Sequence, residues 1–264
     1  MSKLSRLKEI LNSYSSVMVA YSGGVDSSFL LYCAKRYGRG DVIAVTGISE
    51  TYTKEELQFA NKFCKQLGLR LITVRTSEFD NPDFIANSER RCYYCKRELF
   101  SKIEELRKRE GCDVIFDGTN YSDKFDYRPG SMAKKEFNIV SPLEIAGFTK
   151  EDIRRYSKRW GITGYDRPSN ACLASRIPYH TKIDRVTLRK IYAIESFIKS
   201  LGIKTIRLRH HKEIARIETS SEDMSRILKH RDRIIEEAKK HGYIFVALDL
   251  EGYKTGSLNR MRQI

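Results

Sequence analysis

The stretch Tyr21-Ser22-Gly23-Gly24-Val25-Asp26-Ser27-Ser28 constrains this chain more than any other. It follows an apolar run at 16–21 (SVMVAY) that reads as a buried strand, and it precedes a helical pattern over 27–37. Adjacent glycines between a strand and a helix let backbone N–H groups approach an anion closely. The helix start adds its own unpaired donors and its dipole. The hydroxyls of Ser22 and Ser27 can donate further bonds to phosphate oxygens. Asp26 makes a poor phosphate ligand on charge grounds, and suits a Mg²⁺ ligand or a residue that orients the loop. A Walker loop is excluded, because GxxxxGK[ST] is absent and no lysine follows the glycines; a dinucleotide fingerprint is absent too. Two glycines alone would suit an ordinary strand-to-helix turn, but SGGxDS at the end of a first strand is far more specific.

Around this loop, short apolar runs alternate with helical patterns. Strands are expected at 41–48, 70–74 and 113–116, with a short fifth at 139–140. A helix is expected over 53–67, stopped by Gly68, another begins near Cys95, and Thr149 with Asp152 opens one that ends near Trp160. This alternation predicts an α/β fold, a mostly parallel sheet with helices on both faces, over 1–165. Ligands in such sheets bind beyond the carboxyl ends of the strands. After residue 165 the pattern changes to a helix at 185–201, strands at 205–209 and 214–218, a long charged helix at 221–241 and a strand at 243–250. That order predicts a small C-terminal α+β domain over 166–264.

Hydrophobic residues form 41% of the 264, with twelve Phe and fifteen Tyr, which supports a sizeable core and excludes wholesale disorder. No apolar run reaches the length of a membrane helix and the N-terminus lacks a signal-peptide pattern, so the expectation is a cytoplasmic protein without membrane partners. In that setting the six cysteines are not expected to form a disulfide framework. Cys33, Cys64 and Cys112 lie in apolar or amphipathic stretches and read as small buried hydrophobes. Cys92 and Cys95 form a C-x-x-C, a spacing that can turn two thiolates toward one centre, and Cys172 lies in a later loop. A structural zinc would want a fourth ligand, and no second pair exists. A redox dithiol of Cys92 and Cys95 stays open, as does a [4Fe–4S] cluster held by three thiolates with one iron lacking a protein ligand. His180, His210 and His211 have no metal-ligand spacing.

The SGGxDS loop resembles that of the PP-loop, or N-type ATP pyrophosphatase, superfamily. The resemblance implies that Ser22, Gly23, Gly24, Asp26 and Ser27 grip the pyrophosphate of ATP, with Mg²⁺, and that ATP is cleaved to AMP and pyrophosphate. Four further segments narrow it: Asp117-Gly118-Thr119-Asn120 followed by Asp123, Asp126, Tyr127, Arg128, Pro129 and Gly130; Asn170-Ala171-Cys172-Leu173-Ala174-Ser175-Arg176; Ile206-Arg207-Leu208-Arg209-His210 with Ile214-Ala215-Arg216-Ile217-Glu218; and Leu248-Asp249-Leu250-Glu251-Gly252-Tyr253-Lys254-Thr255-Gly256-Ser257. Together, over essentially the whole chain, they resemble the LarE sulfur-insertion enzymes of nickel-pincer nucleotide biosynthesis. The resemblance implies an ATP-dependent sulfur transferase that adenylates a carboxylate of pyridinium-3,5-biscarboxylic acid mononucleotide and replaces oxygen with sulfur.

By the same resemblance Ser175, Arg176, Arg207 and Arg209 take the substrate's phosphate. Arg207 and Arg209 alternate along a strand, so both guanidiniums share a face and can fork onto one anion. Asp123, Asp126 and Arg128 would hold magnesium, ATP or substrate. Family members with only the cysteine matching Cys172 give up its sulfur once, whereas those with all three resemble cluster-dependent sulfur carriers. This chain has all three, so the expectation is sulfide borne on a [4Fe–4S] cluster held by Cys92, Cys95 and Cys172, with Cys172 as direct donor left open. The family also implies a homo-oligomer, a hexamer built from trimers. The net charge of +15 keeps a rival in view, a [4Fe–4S]-dependent tRNA thiolation enzyme of the same superfamily, although no separate RNA-binding domain is recognisable.

Overall fold

The computed structural model describes residues 1–125, 129–167 and 171–254. The chain divides into two compact units, Met1–Phe84 with Glu89–Asn170, and Ile85–Ser88 with Ala171–Ile264. Among the described residues no helix is long and apolar enough to cross a membrane.

The first unit is built on a parallel sheet of β1 (Ser16–Ala20), β2 (Asp41–Ile48), β3 (Arg70–Arg75) and β4 (Val114–Asp117), in the order β3-β2-β1-β4. Before β1 runs α1 (Lys3–Asn12), and α2 (Val25–Tyr37) and α3 (Lys54–Leu67) follow β1 and β2. After β3 come α4 (Pro82–Ile85) and α5 (Arg91–Glu110), and after β4 come α6 (Gly130–Glu136), α7 (Pro142–Ile145) and α8 (Lys150–Arg159).

Period-two alternation along β1 explains why both faces are covered. Val17 and Val19 pack with Leu7, Phe29, Leu30 and Phe148 on one side, while Met18 and Ala20 pack with Phe100, Ile103 and Leu106 on the other. Each of these Val, Leu, Ile, Met and Phe side chains, when fully buried, contributes about 1.5–3 kcal/mol relative to exposure. Local signals set the helix ends. Thr53 with Glu56, and Thr149 with Asp152, form reciprocal capping boxes at the starts of α3 and α8. The left-handed Gly68 closes α3.

Several expectations shift. The short amphipathic start of the chain folds as α1, capped by the Ser2 side chain. α5 begins at Arg91, so the C-x-x-C lies inside its first two turns. The short fifth strand is a single bridge between Phe116 and Val140, because Asn138 turns into the left-handed region (φ 51°) just before it and α7 begins soon after.

In the second unit α9 (Arg185–Ser200) packs on a three-stranded sheet, β5 (Ile206–His211), β6 (Ile214–Thr219) and β7 (Phe245–Leu248), in that order. β5 and β6 are antiparallel, β6 and β7 parallel. The long charged helix is two, α10 (Ser221–Lys229) and α11 (Arg231–Lys240), parted at His230, whose backbone leaves helical geometry (φ −103°, ψ 14°). Asn87 ties the returning segment 85–88 into this unit, its amide donating to the carbonyls of Pro178 (2.7 Å) and Thr181 (2.8 Å).

Candidate functional site

In the order β3-β2-β1-β4 the chain winds outward from β1 in one direction and then returns to its other side, so the switch point lies between β1 and β4. The two loops leaving the carboxyl ends of those strands meet there. One is the glycine loop, in which Gly23 adopts φ +73° and Gly24 caps α2. The other is Gly118-Thr119-Asn120. A Cβ at Gly118 would come within 2.8 Å of the Ser27 nitrogen, so only glycine permits this approach. Asn120 Nδ2 then donates to Asp26 Oδ2 at 2.9 Å, which fixes the aspartate in the first turn of α2.

Hydroxyls complete the loop. Ser22 Oγ and Ser27 Oγ are 3.1 Å apart, and Ser27 Oγ also donates to the Gly24 carbonyl at 3.1 Å. Below them the Tyr21 hydroxyl meets Ser28 Oγ at 3.1 Å, and burial pushes the Tyr21 phenol well above its ordinary pKa. The Arg167 guanidinium lies 3.9 Å from the Phe59 ring centre and donates to the Gly23 carbonyl at 3.3 Å. Asp123 is buried, accepts from the Asn120 N–H at 3.2 Å and pairs with Lys150 at 2.9 Å. It therefore braces the β4 loop. Asp126 and Arg128 lie outside the described residues.

Cys92 and Cys95 are half-buried on successive turns of α5, three residues apart and so on one side of the helix. Cys95 Sγ donates to Oε1 of the buried Glu78 at 3.5 Å, and Thr76 Oγ1 donates to the same oxygen at 3.0 Å. Thr76 and Glu78 follow the carboxyl end of β3, which puts the C-x-x-C on the same rim of the sheet as the glycine loop.

The second unit carries the remaining candidates. Cys172 is exposed and precedes a 3₁₀ turn, Leu173–Arg176. Its carbonyl accepts from the Ser175 N–H at 2.9 Å and from Arg176 Nη1 at 3.1 Å. Arg176, buried, forks onto Glu195 with Nε–Oε1 2.9 Å and Nη2–Oε2 3.0 Å. Burial alone would raise the Glu195 carboxyl, but Arg176 and the Leu208 N–H outweigh it and leave its pKa below the ordinary range.

The register of β5 against β6 sets Arg207 opposite Glu218 and Arg209 opposite Arg216, so one sheet face carries all four. Arg209 and Arg216 both reach Glu218, at 2.8 and 3.1 Å, and Arg216 also reaches Asp249 at 3.0 Å. Arg207 is buried beneath the Tyr253 ring at 5.0 Å. Burial, then the charges of Arg176 and Arg209, lowers its pKa. Ser175, Arg176, Arg207 and Arg209 thus form one cluster, in which the Ser175 carbonyl accepts from Arg209 at 2.7 Å. Sequence reasoning missed Arg167, Glu78 and Glu195, which belong to no motif; Glu218 stood inside a quoted segment without a role. Among the described residues no three His, Cys, Asp or Glu side chains gather as a metal-binding group.

Residues 8–102, which include the glycine loop and the C-x-x-C, match the asparagine synthase family. Over 259 residues the chain is 32% identical to the pyridinium-3,5-bisthiocarboxylic acid mononucleotide synthase of Lactiplantibacillus plantarum, covering 97% of this chain and 94% of that one. It is also 34% identical over 262 residues to an uncharacterized protein of Synechocystis, covering 98% of each, and 32% identical over 258 residues to one of Methanocaldococcus jannaschii, covering 96% and 98%.

Proposed function

Because the chain belongs to the LarE family of pyridinium-3,5-bisthiocarboxylic acid mononucleotide synthases, we propose that it adenylates a carboxylate of the pyridinium-3,5-biscarboxylic acid mononucleotide and replaces its oxygen with sulfur. It is an ATP-dependent enzyme. The observation that carries the substrate is the similarity over nearly the full length of both chains, which takes in the arginine face of the second unit as well as the glycine loop. A tRNA substrate has no comparable support.

In this reading the first unit holds ATP and the second holds the mononucleotide. Backbone N–H groups of Gly23 and Gly24, with Ser22 and Ser27, take the β- and γ-phosphates at the start of α2. A substrate carboxylate oxygen attacks the α-phosphorus, and pyrophosphate leaves. Hydrosulfide then adds to the acyl carbon, the bond to the adenylate oxygen breaks, and thiocarboxylate and AMP depart. Ser175, Arg176, Arg207 and Arg209 bind the substrate's phosphate. The buried carboxylates Glu195 and Glu218 hold Arg176 and Arg209 in place for it.

Two inorganic groups fit the side chains present. Asp26, a hard oxygen donor steered by Asn120, suits Mg²⁺. Cys92, Cys95 and Cys172 suit a [4Fe–4S] cluster by donor chemistry. The first two share one side of α5 and are partly accessible, and the third is exposed on a turn whose backbone Arg176 secures. When bound, the cluster supplies a site for the sulfide that the acyl adenylate needs. The exposure of Cys172 also supports a second reading, in which its own sulfur is transferred and dehydroalanine remains. A trimer-based oligomer is supported by the family alone, and sedimentation reads it.

The test follows AMP and pyrophosphate from ATP with the pyridinium mononucleotide, beside iron and acid-labile sulfide in anaerobically purified protein. Equal AMP and pyrophosphate, dependent on the mononucleotide, is expected, with about four irons per chain lost in Cys92→Ala, Cys95→Ala and Cys172→Ala. ATP turnover indifferent to the mononucleotide would sink the substrate reading. Iron-free, reconstitution-resistant protein that loses sulfur from Cys172 after one turnover would move the sulfur source to that residue.

A further inference from the structure

The peptide between Gly23 and Gly24 is the weak point of the phosphate loop. Turning a peptide over changes ψ of the residue before it and φ of the residue after it, and here both are glycines, the residues for which such rotation costs least. Because a trans peptide is planar, its C=O and N–H point in opposite directions. A donor on the Gly23 carbonyl therefore decides where the Gly24 N–H points. That N–H now points toward Ser22 Oγ at 3.3 Å, on the hydroxyl side of the loop, where Ser22 and Ser27 face each other. The donor on the carbonyl is Arg167.

The surroundings of Arg167 are built to hold it there. Its guanidinium carbon lies over the ring of Phe59, which stacks on Phe63 (6.0 Å, 14° between planes), which in turn stacks on Tyr21 next to the loop (5.9 Å, 29°). Gly164, at φ +85°, lets the chain come close: a Cβ there would lie 2.7 Å from the Phe59 ring and 3.0 Å from Arg167 Cδ. Arg154 clamps the intervening backbone, donating to the carbonyls of Tyr165 (3.0 Å) and Arg167 (3.2 Å). A turn, a platform and a clamp thus converge on one arginine some 140 residues along the chain from the carbonyl it holds.

We infer that Arg167 is a positioning residue for ATP, which locks the Gly23–Gly24 peptide with its N–H toward the pyrophosphate. It acts through the backbone, from a segment distant in the sequence. The inference rests on the ATP reading above. It is tested by measuring Kd for ATP, inorganic pyrophosphate and AMP with the full chain, Arg167→Ala and Phe59→Leu. Arg167→Ala is expected to raise Kd for ATP and for pyrophosphate by about tenfold or more, the scale of one charge-assisted hydrogen bond, and to leave AMP within about twofold. Phe59→Leu, which keeps the cation and removes its platform, should give the same pattern at a few-fold. ATP and pyrophosphate binding within about twofold of wild type in Arg167→Ala would overturn the lock, and so would an equal loss of AMP affinity, which a merely collapsed site would produce. Wild-type protein that binds neither ATP nor pyrophosphate would overturn the ATP reading itself.

Discussion

Around the glycine loop the donors are backbone N–H groups and hydroxyls, with the Asn120 amide on Asp26 and Arg167 on the Gly23 carbonyl. On the β5–β6 face of the second unit the reverse holds: Arg176, Arg207, Arg209 and Arg216 crowd against Glu195, Glu218 and Asp249. The first arrangement draws its attraction for anions from a helix terminus and needs little more than a fixed backbone. The second must keep guanidiniums buried, and does so by giving them carboxylates. Damage to the loop should therefore show in catalysis with modest loss of stability. Damage to the carboxylates should show in stability first.

The sharpest break of that contrast is at Asp26. Asp26→Asn keeps the size and one polar contact with Asn120 but removes the charge proposed for Mg²⁺. AMP formation should fall by roughly a hundredfold or more, with the unfolding midpoint nearly unchanged. Loss of stability in step with activity would erase the contrast. Glu195→Gln tests the other side. It leaves Arg176 buried without its anion, and urea unfolding should show a loss of about 3–5 kcal/mol. A pH series refines this. Because the folded carboxyl sits below its unfolded pKa of about 4.3, its stabilisation is complete above that pH and fades as pH falls further. Wild type should lose its advantage over Glu195→Gln in that acid range.

The two regions differed equally in how far they could be read from sequence. SGGVDS announced itself because one short segment holds the strand end, the glycines, the hydroxyls and the helix start. The arginine strand was visible as an alternation, but its carboxylates were not, since Glu195 meets Arg176 across nineteen residues and from a helix whose other inward positions are Leu188, Ile191, Ile194 and Ile198. On pattern alone that glutamate looks like an interruption of an apolar face. Arg167 was hidden for the same reason: its partners, Gly23 and Phe59, are more than a hundred residues away. The break between α10 and α11 at His230 was also unreadable, because neither proline nor glycine marks it.

Gly118 gives a smaller effect that bears on the loop alone. Gly118→Ala places a methyl 2.8 Å from the Ser27 nitrogen and 2.9 Å from its Cα, both backbone atoms that cannot step aside. The β4 loop must then part from α2, at about 1–3 kcal/mol, and Asp26 loses its Asn120 partner. ATP affinity should drop while affinity for the mononucleotide holds. Equal loss of both ligands would mean that the two regions do not act separately.

The smallest expected change in stability is also the most telling. Arg207 is buried, and its charge is disfavoured by that burial and by Arg176 and Arg209 beside it. Its stem and the Tyr253 ring supply the packing. Arg207→Met keeps a long unbranched chain and removes the disfavoured charge, so the unfolding free energy should stay within about 1 kcal/mol of wild type or rise. Mononucleotide binding should weaken at least tenfold, as expected when an ion pair to phosphate is lost, while ATP binding is unchanged. A residue whose removal steadies the fold and empties the site would be held in place for its ligand. If Arg207→Met instead destabilises as Glu195→Gln does, the guanidinium belongs to the same structural lattice as its neighbours, and the phosphate must be taken by Arg176 and Arg209 alone.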